Sequence, residues 1–98
     1  MEPEAPCTQR LRATIRGRVQ GVGFRFFVAR VGRRLHLCGH VRNLPGGRRV
    51  EVIAQGPRPA LDALIQELQA GPPLAIVESV TVAREAPADD LPAFAIRA

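Results

Sequence analysis

An α+β sandwich in the order strand–helix–strand–strand–helix–strand is predicted by three features of these 98 residues. Apolar residues recur with period two in some segments and with a helical period in others. Glycine and proline mark the switch points, at residues 21–23, 44–48, 56–59 and 71–73. Length and an apolar content of 46% suit one domain with one core.

Residues 10–19, RLRATIRGRV, alternate. Leu11, Ala13 and Ile15 point one way; Arg10, Arg12, Thr14 and Arg16 point the other, which makes a half-buried strand with one wet face. Arg10, Arg12, Arg16 and Arg18 are expected as a solvated strand face. From Phe24 the period becomes helical. Phe24, Phe27, Val28, Val31 and Leu35 share a stripe, with Arg30, Arg33 and Arg34 opposite; Gly32 weakens this helix without ending it. Phe24, Phe26 and Phe27 are expected in the core or as loop support. Residues 37–43 read as the second strand, LPGGR as a turn, and residues 49–55 as the third strand, with Val50, Val52 and Ala54 on one face. GPRP starts the second helix, whose stripe is Leu61, Leu64, Ile65 and Leu68, and GPP at 71–73 stops it. Residues 76–83 form a fourth strand and 94–97 a short fifth, joined by the polar loop EAPADDLPA.

This is the βαββαβ order of ferredoxin-like sandwiches, with two helices on one face of an antiparallel sheet and the Arg-rich face wet. Strands 1 and 2 run the same way, so the glycine loop after strand 1 and Asn43 at the end of strand 2 share one edge. With strand 3 between them they stand about 10 Å apart at backbone level. Residues 1–8, acidic and Pro-containing, are expected to be a flexible tail, and residues 9–98 a single domain.

All 14 basic residues are Arg, and the net charge is +5. Arginine binds oxyanions in a bidentate way, so small anions and nucleic acid are both compatible with this charge. Against nucleic acid, the chain has four Phe, no Tyr and no Trp, and strand 3 carries no aromatic on which a base would stack. No apolar run is long enough for a membrane span, and the N-terminus is not a signal peptide. Cys7 and Cys38 lack metal-ligand spacing. LHLCGH offers His36, Cys38 and His40, but no second cluster completes a zinc set. One buried thiol, two packed or solvated histidines, no metal, no cofactor, a monomer and a reducing cytoplasm are the expectations.

The stretch GRVQGVGFR, residues 17–25, carries the chemistry. Gly21 and Gly23 permit positive φ, successive amides in such a turn form a concave anion seat, and Arg25 stands at its rim. Taken alone, the glycines are equally compatible with a tight strand-to-helix turn. Arg25 at a helix start opposes the helix dipole, a conflict that a bound anion resolves. The chain has no Lys for a Walker A loop and no third glycine for a dinucleotide fingerprint. Residues 17–25 contain no Ser, Thr, Cys, His, Asp or Glu, so the loop holds a phosphate but neither attacks it nor protonates a leaving group. An acyl phosphate leaves as a stable carboxylate, and for that substrate positioning and charge stabilisation suffice. Water would be the nucleophile, oriented by a neutral amide such as Asn43, which by itself reads as a turn residue.

GRVQGVGFR together with GHVRNLPGG resembles the paired motifs of the acylphosphatases, and VEVIAQG, GPPLAIVESV and the terminal FAIR are similar to further segments of that family. The resemblance spans roughly residues 9 to 97 and implies hydrolysis of an acyl phosphate to a carboxylate and inorganic phosphate, without a metal. By that resemblance Arg25 is the catalytic arginine that binds the phosphate and Asn43 the residue that orients the attacking water. Gln20, Gly21, Val22, Gly23 and Phe24 are the loop whose amides bind phosphoryl oxygens, and phosphate or sulfate should compete for the same seat. His40 replaces the usual Trp, and Ala98 stands where an aromatic often ends the chain. GPPLAIVESV and FRFFV also resemble the acylphosphatase-like domain that opens hydrogenase-maturation carbamoyltransferases, which would imply carbamoyl phosphate. Those proteins continue into cysteine-rich zinc-binding segments, and the standalone enzyme is the expectation if the sequence, which ends at Ala98, is complete. A non-catalytic anion- or RNA-binding module is the remaining alternative.

Overall fold

The computed structural model describes residues 8–98. The tail expected over residues 1–8 lies outside them, except Thr8, which opens the first strand. The elements are β1 (Thr8–Arg18), α1 (Phe24–Arg34), β2 (Cys38–Asn43), β3 (Arg49–Pro57), α2 (Arg58–Ala70), β4 (Ile76–Glu85) and β5 (Ala95–Ile96). They form one five-stranded sheet in the order β4-β1-β3-β2-β5. β3 therefore separates β1 from β2, and both pair with it antiparallel. β4 pairs antiparallel with β1.

The fifth strand departs from the antiparallel expectation: β5 pairs parallel with β2, making the sheet mixed. The cause is the path of the loop after β4. The Arg10 guanidinium holds Asp90 at 2.7 Å, the Gln55 amide exchanges two hydrogen bonds with Ala88, and the Gly39 N–H donates to Pro92 O. The loop thus returns across the end where β1 and β2 begin, and β5 must run with β2.

The core lies between the sheet and both helices. Leu11, Ala13, Ile15, Val41, Val50, Val52 and Ala54 meet Phe24, Val28 and Val31 of α1 and Leu61, Leu64 and Leu68 of α2, all buried. Gly32 is tolerated in α1 for a packing reason. A Cβ there would lie 2.4 Å from the Phe94 ring, so only glycine lets that ring close the core. α2 begins after Pro57 with a proline in its first turn and ends at Gly71, whose N–H donates to Glu67 O.

The opposite face is less wet than its arginines predict. Glu51 is 7% exposed and accepts from Arg12 at 2.6 Å and Arg42 at 2.9 Å. Ile53, on the same face, is 3% exposed between Arg12 and His40 of the flanking strands. Arginine stems cover the apolar surface beside them while their heads pair with carboxylates. Cys38 is exposed rather than buried. Leu37, Gly39 and Val41 point inward, so alternation turns Cys38 outward; Cys7 lies outside the described residues.

Candidate active site

β1 ends at Arg18 and α1 starts at Phe24, so the glycine loop makes a strand-to-helix turn at the sheet edge. Gly21 has φ 74° and Gly23, the residue capping α1, has φ 78°. A Cβ at either would meet nothing within 4 Å, so glycine is needed there for its conformation rather than for space. α1 has no side-chain N-cap and no acidic residue in its first turn. Its first turn closes with Phe27 N–H donating to Gly23 O. The amides before Phe27 have no acceptor within the helix, and they and the dipole favour an anion.

A cavity of about 200 Å³ opens here, lined by Val19, Gly21, Gly23, Phe24, Arg25, Phe26 and Asn43. It brings together the two residues that the sequence places at the ends of β1 and β2. None of its lining side chains is a carboxylate, thiol, hydroxyl or imidazole. Among the described residues Arg25 forms no ion pair. Its Nη1 donates to Arg97 O at 3.1 Å, while Arg97 N–H donates to Val41 O at 2.8 Å. The chain after β5 is thereby pinned to β2 and steadies the guanidinium. The Asn43 side-chain oxygen is buried and has no hydrogen-bond partner in the protein. A different cleft, of about 300 Å³, lies at the other end of β1 against Thr8, Gln9 and Arg10 and shares no residue with this one.

The expected site residues divide. Gly21, Gly23, Phe24, Arg25 and Asn43 line the cavity. Val22 packs against the core. The Gln20 side chain turns to the β2–β3 hairpin, donating to Leu44 O at 2.8 Å and Arg49 O at 3.0 Å. Phe26 is not core but 73% exposed on the rim, because one residue after Arg25 it falls off the stripe of Phe24, Phe27 and Val28. The Arg97 carbonyl has no signal in the sequence, because no side-chain pattern marks a main-chain acceptor.

His36, Cys38 and His40 do not converge as ligands, and among the described residues no group of three His, Cys, Asp or Glu is placed to hold a metal ion. His40 is half-buried with its Nδ1 unpartnered. Burial, then the charge of Arg97, push its pKa below the ordinary value. No helix among the described residues is long and apolar enough to cross a membrane.

The family model described as Acylphosphatase matches residues 11–96. The chain belongs to the acylphosphatase family, whose members are hydrolases. It is 52% identical over 88 residues to an acylphosphatase of Anaeromyxobacter dehalogenans (strain 2CP-C), covering 90% of this chain and 94% of that one. The acylphosphatase structure from Bacillus subtilis superposes with a TM-score of 0.87 at 34% identity, covering 92% of this chain and 99% of that one. Full-length HypF in its phosphate- and nucleotide-bound form gives a TM-score of 0.85 at 28% identity, covering 99% of this chain but 13% of HypF. The acylphosphatase fold thus occurs both as a whole chain and as a small part of a larger one.

Proposed function

We propose that the chain hydrolyses acyl phosphates to a carboxylate and inorganic phosphate, with the phosphoryl group on the amides of residues 20–25 and the Arg25 guanidinium. The observation that carries this reading is the cavity where Arg25 and Asn43 meet with no acid or base beside them. A water oxygen, held by the Asn43 amide, attacks phosphorus. The bond from phosphorus to the acyl oxygen breaks, its electron pair leaves with the carboxylate, and the water proton passes to the phosphate product or to solvent. The leaving group needs no protonation, so a site of positioned donors and one fixed charge is sufficient. We place the protein in the cytoplasm as a monomer, and expect phosphate and sulfate to compete with substrate.

Phosphate release from benzoyl phosphate, with and without EDTA, tests the reaction. Turnover is expected to survive the chelator. A large loss restored by Mg²⁺ or Zn²⁺ would refute the mechanism. The likeness to HypF supports a second reading, a domain that handles carbamoyl phosphate. A marked preference in kcat/KM for carbamoyl phosphate over benzoyl phosphate would favour it.

A further inference from the structure

We propose that Gln20 is a positioning residue, which couples the anion loop to Asn43 through its side chain. The inference rests on the acylphosphatase reading and assigns Gln20 a task beyond lending its amide to phosphate. The pairing of β1 with β3 ends at Arg16 and Arg49, and that of β2 with β3 ends at Asn43 and Val50. The two catalytic candidates therefore sit at or beyond the last rungs of the sheet, on separate segments. Gly17 N–H donating to Arg48 O at 2.9 Å is the last main-chain link from β1 to the hairpin. Beyond it, Gln20 supplies the next link. Its side-chain nitrogen donates to Leu44 O at 2.8 Å and to Arg49 O at 3.0 Å. Leu44 immediately follows Asn43, and its own N–H donates to that same Arg49 carbonyl at 3.0 Å.

One primary amide thus spans both strands of the hairpin at its base, with its two N–H groups used on two carbonyls. It extends the register of the sheet by a side chain where the main chain has turned away into the loop. Fixing Leu44 fixes the backbone that carries the Asn43 amide. Fixing Gln20 fixes the first residue of the loop that ends in Arg25. Positioning errors near 1 Å reduce rates strongly when catalysis depends on orientation.

The test is Gln20→Met, which keeps length and removes both donors. Steady-state hydrolysis of benzoyl phosphate, inhibition by inorganic phosphate, and a double-mutant cycle with Asn43→Ala are measured on proteins shown folded by circular dichroism. The kcat of Gln20→Met is expected to fall roughly 10-fold, the size of one or two lost neutral hydrogen bonds. KM and the phosphate inhibition constant change less than kcat, because the loop amides and Arg25 remain while the tie that aligns Asn43 with them is lost. In the Asn43→Ala background the same substitution has little further effect, because the group it aligns is gone. Gln20→Glu is the second variant, used also where Gln20→Met does not fold. Its carboxylate cannot donate, so its kcat relative to wild type recovers as the pH is lowered and the carboxyl regains one O–H. Multiplicative losses in the cycle, a phosphate constant that rises by as large a factor as kcat falls, or an unchanged kcat in either folded variant would overturn the coupling while leaving the hydrolase reading in place. A wild-type chain that releases no phosphate would overturn both.

Discussion

Arg25 stands in the first turn of α1, at the end of the helix where the dipole disfavours a cation, and Asn43 buries a side-chain oxygen that no protein group satisfies. An orphaned buried acceptor costs about 1–3 kcal/mol. Both costs are offset when a phosphoryl group sits on the loop and a water donates to Asn43. The two residues then differ in what they hold. In the proposed mechanism Arg25 contacts the phosphoryl group before and during reaction, so Arg25→Ala is expected to weaken phosphate binding and to lower turnover by roughly 10³–10⁵-fold. Asn43→Ala is expected to bind phosphate nearly as wild type while turnover falls by about 10²–10³-fold. Calorimetric titration of phosphate beside steady-state rates separates them. If Asn43→Ala loses phosphate binding as badly as Arg25→Ala, the amide is a direct ligand and the water-orienting role is wrong.

The elements show which parts of this arrangement the sequence carries. Period and punctuation locate both helices and four strands, because a period of two or 3.6 is written in side chains. The same signal places Arg25 and Asn43 on one edge, since a strand order with β3 in the middle leaves them together. β5 is two residues long, and its parallel pairing depends on where the preceding loop is anchored, so no local pattern encodes its direction. Phe26 and Cys38 are exposed for a simpler reason: position on the helix or strand, not hydrophobicity, decides which way each side chain faces. The end of α1 carries a feature that composition hides. His36 has φ 59°, and Leu37 N–H donates to Gly32 O while His36 N–H donates to Arg33 O. This is the left-handed helix stop in which glycine is normally found. A residue with a Cβ is held there at a cost of about 1–2 kcal/mol. His36→Gly is therefore expected to stabilise the fold by about 0.5–1 kcal/mol after the added freedom of the unfolded chain is deducted. A thermal melt would show a rise of a few degrees; an unchanged or lower Tm would mean that contacts of the imidazole outweigh the backbone strain.

For the whole molecule, the response to acid is set on the face of the sheet away from the helices. Burial of Glu51 alone would raise its pKa, but hydrogen bonds and charge from Arg42 and Arg12 outweigh that, and the pKa lies below its ordinary 4.5. Asp90 is held low chiefly by its hydrogen bond from Arg10. His40 is lowered from 6.5, first by burial and then by the charge of Arg97, with Glu51 opposing. The three groups act in one direction. Each binds protons more readily in the unfolded chain, so each contributes stability at neutral pH that is lost on acidification. Their windows differ. The His40 contribution is complete above pH 6.5 and fades as pH falls below it through the folded value. The Glu51 contribution is complete above about 4.5 and fades below. Stability measured by urea unfolding should therefore be flat from pH 8 to about 6.5, decline gently toward pH 5, and drop steeply below 4.5. His40→Phe removes the titrating ring and its unpartnered Nδ1, and should abolish the gentle limb while keeping the steep one. Glu51→Gln should cost about 1.5–3 kcal/mol at pH 7, as for a hydrogen bond to a charged group, and should flatten the steep limb instead. A His40→Phe protein that still loses stability between pH 6.5 and 5 would show that His40 does not set the upper transition.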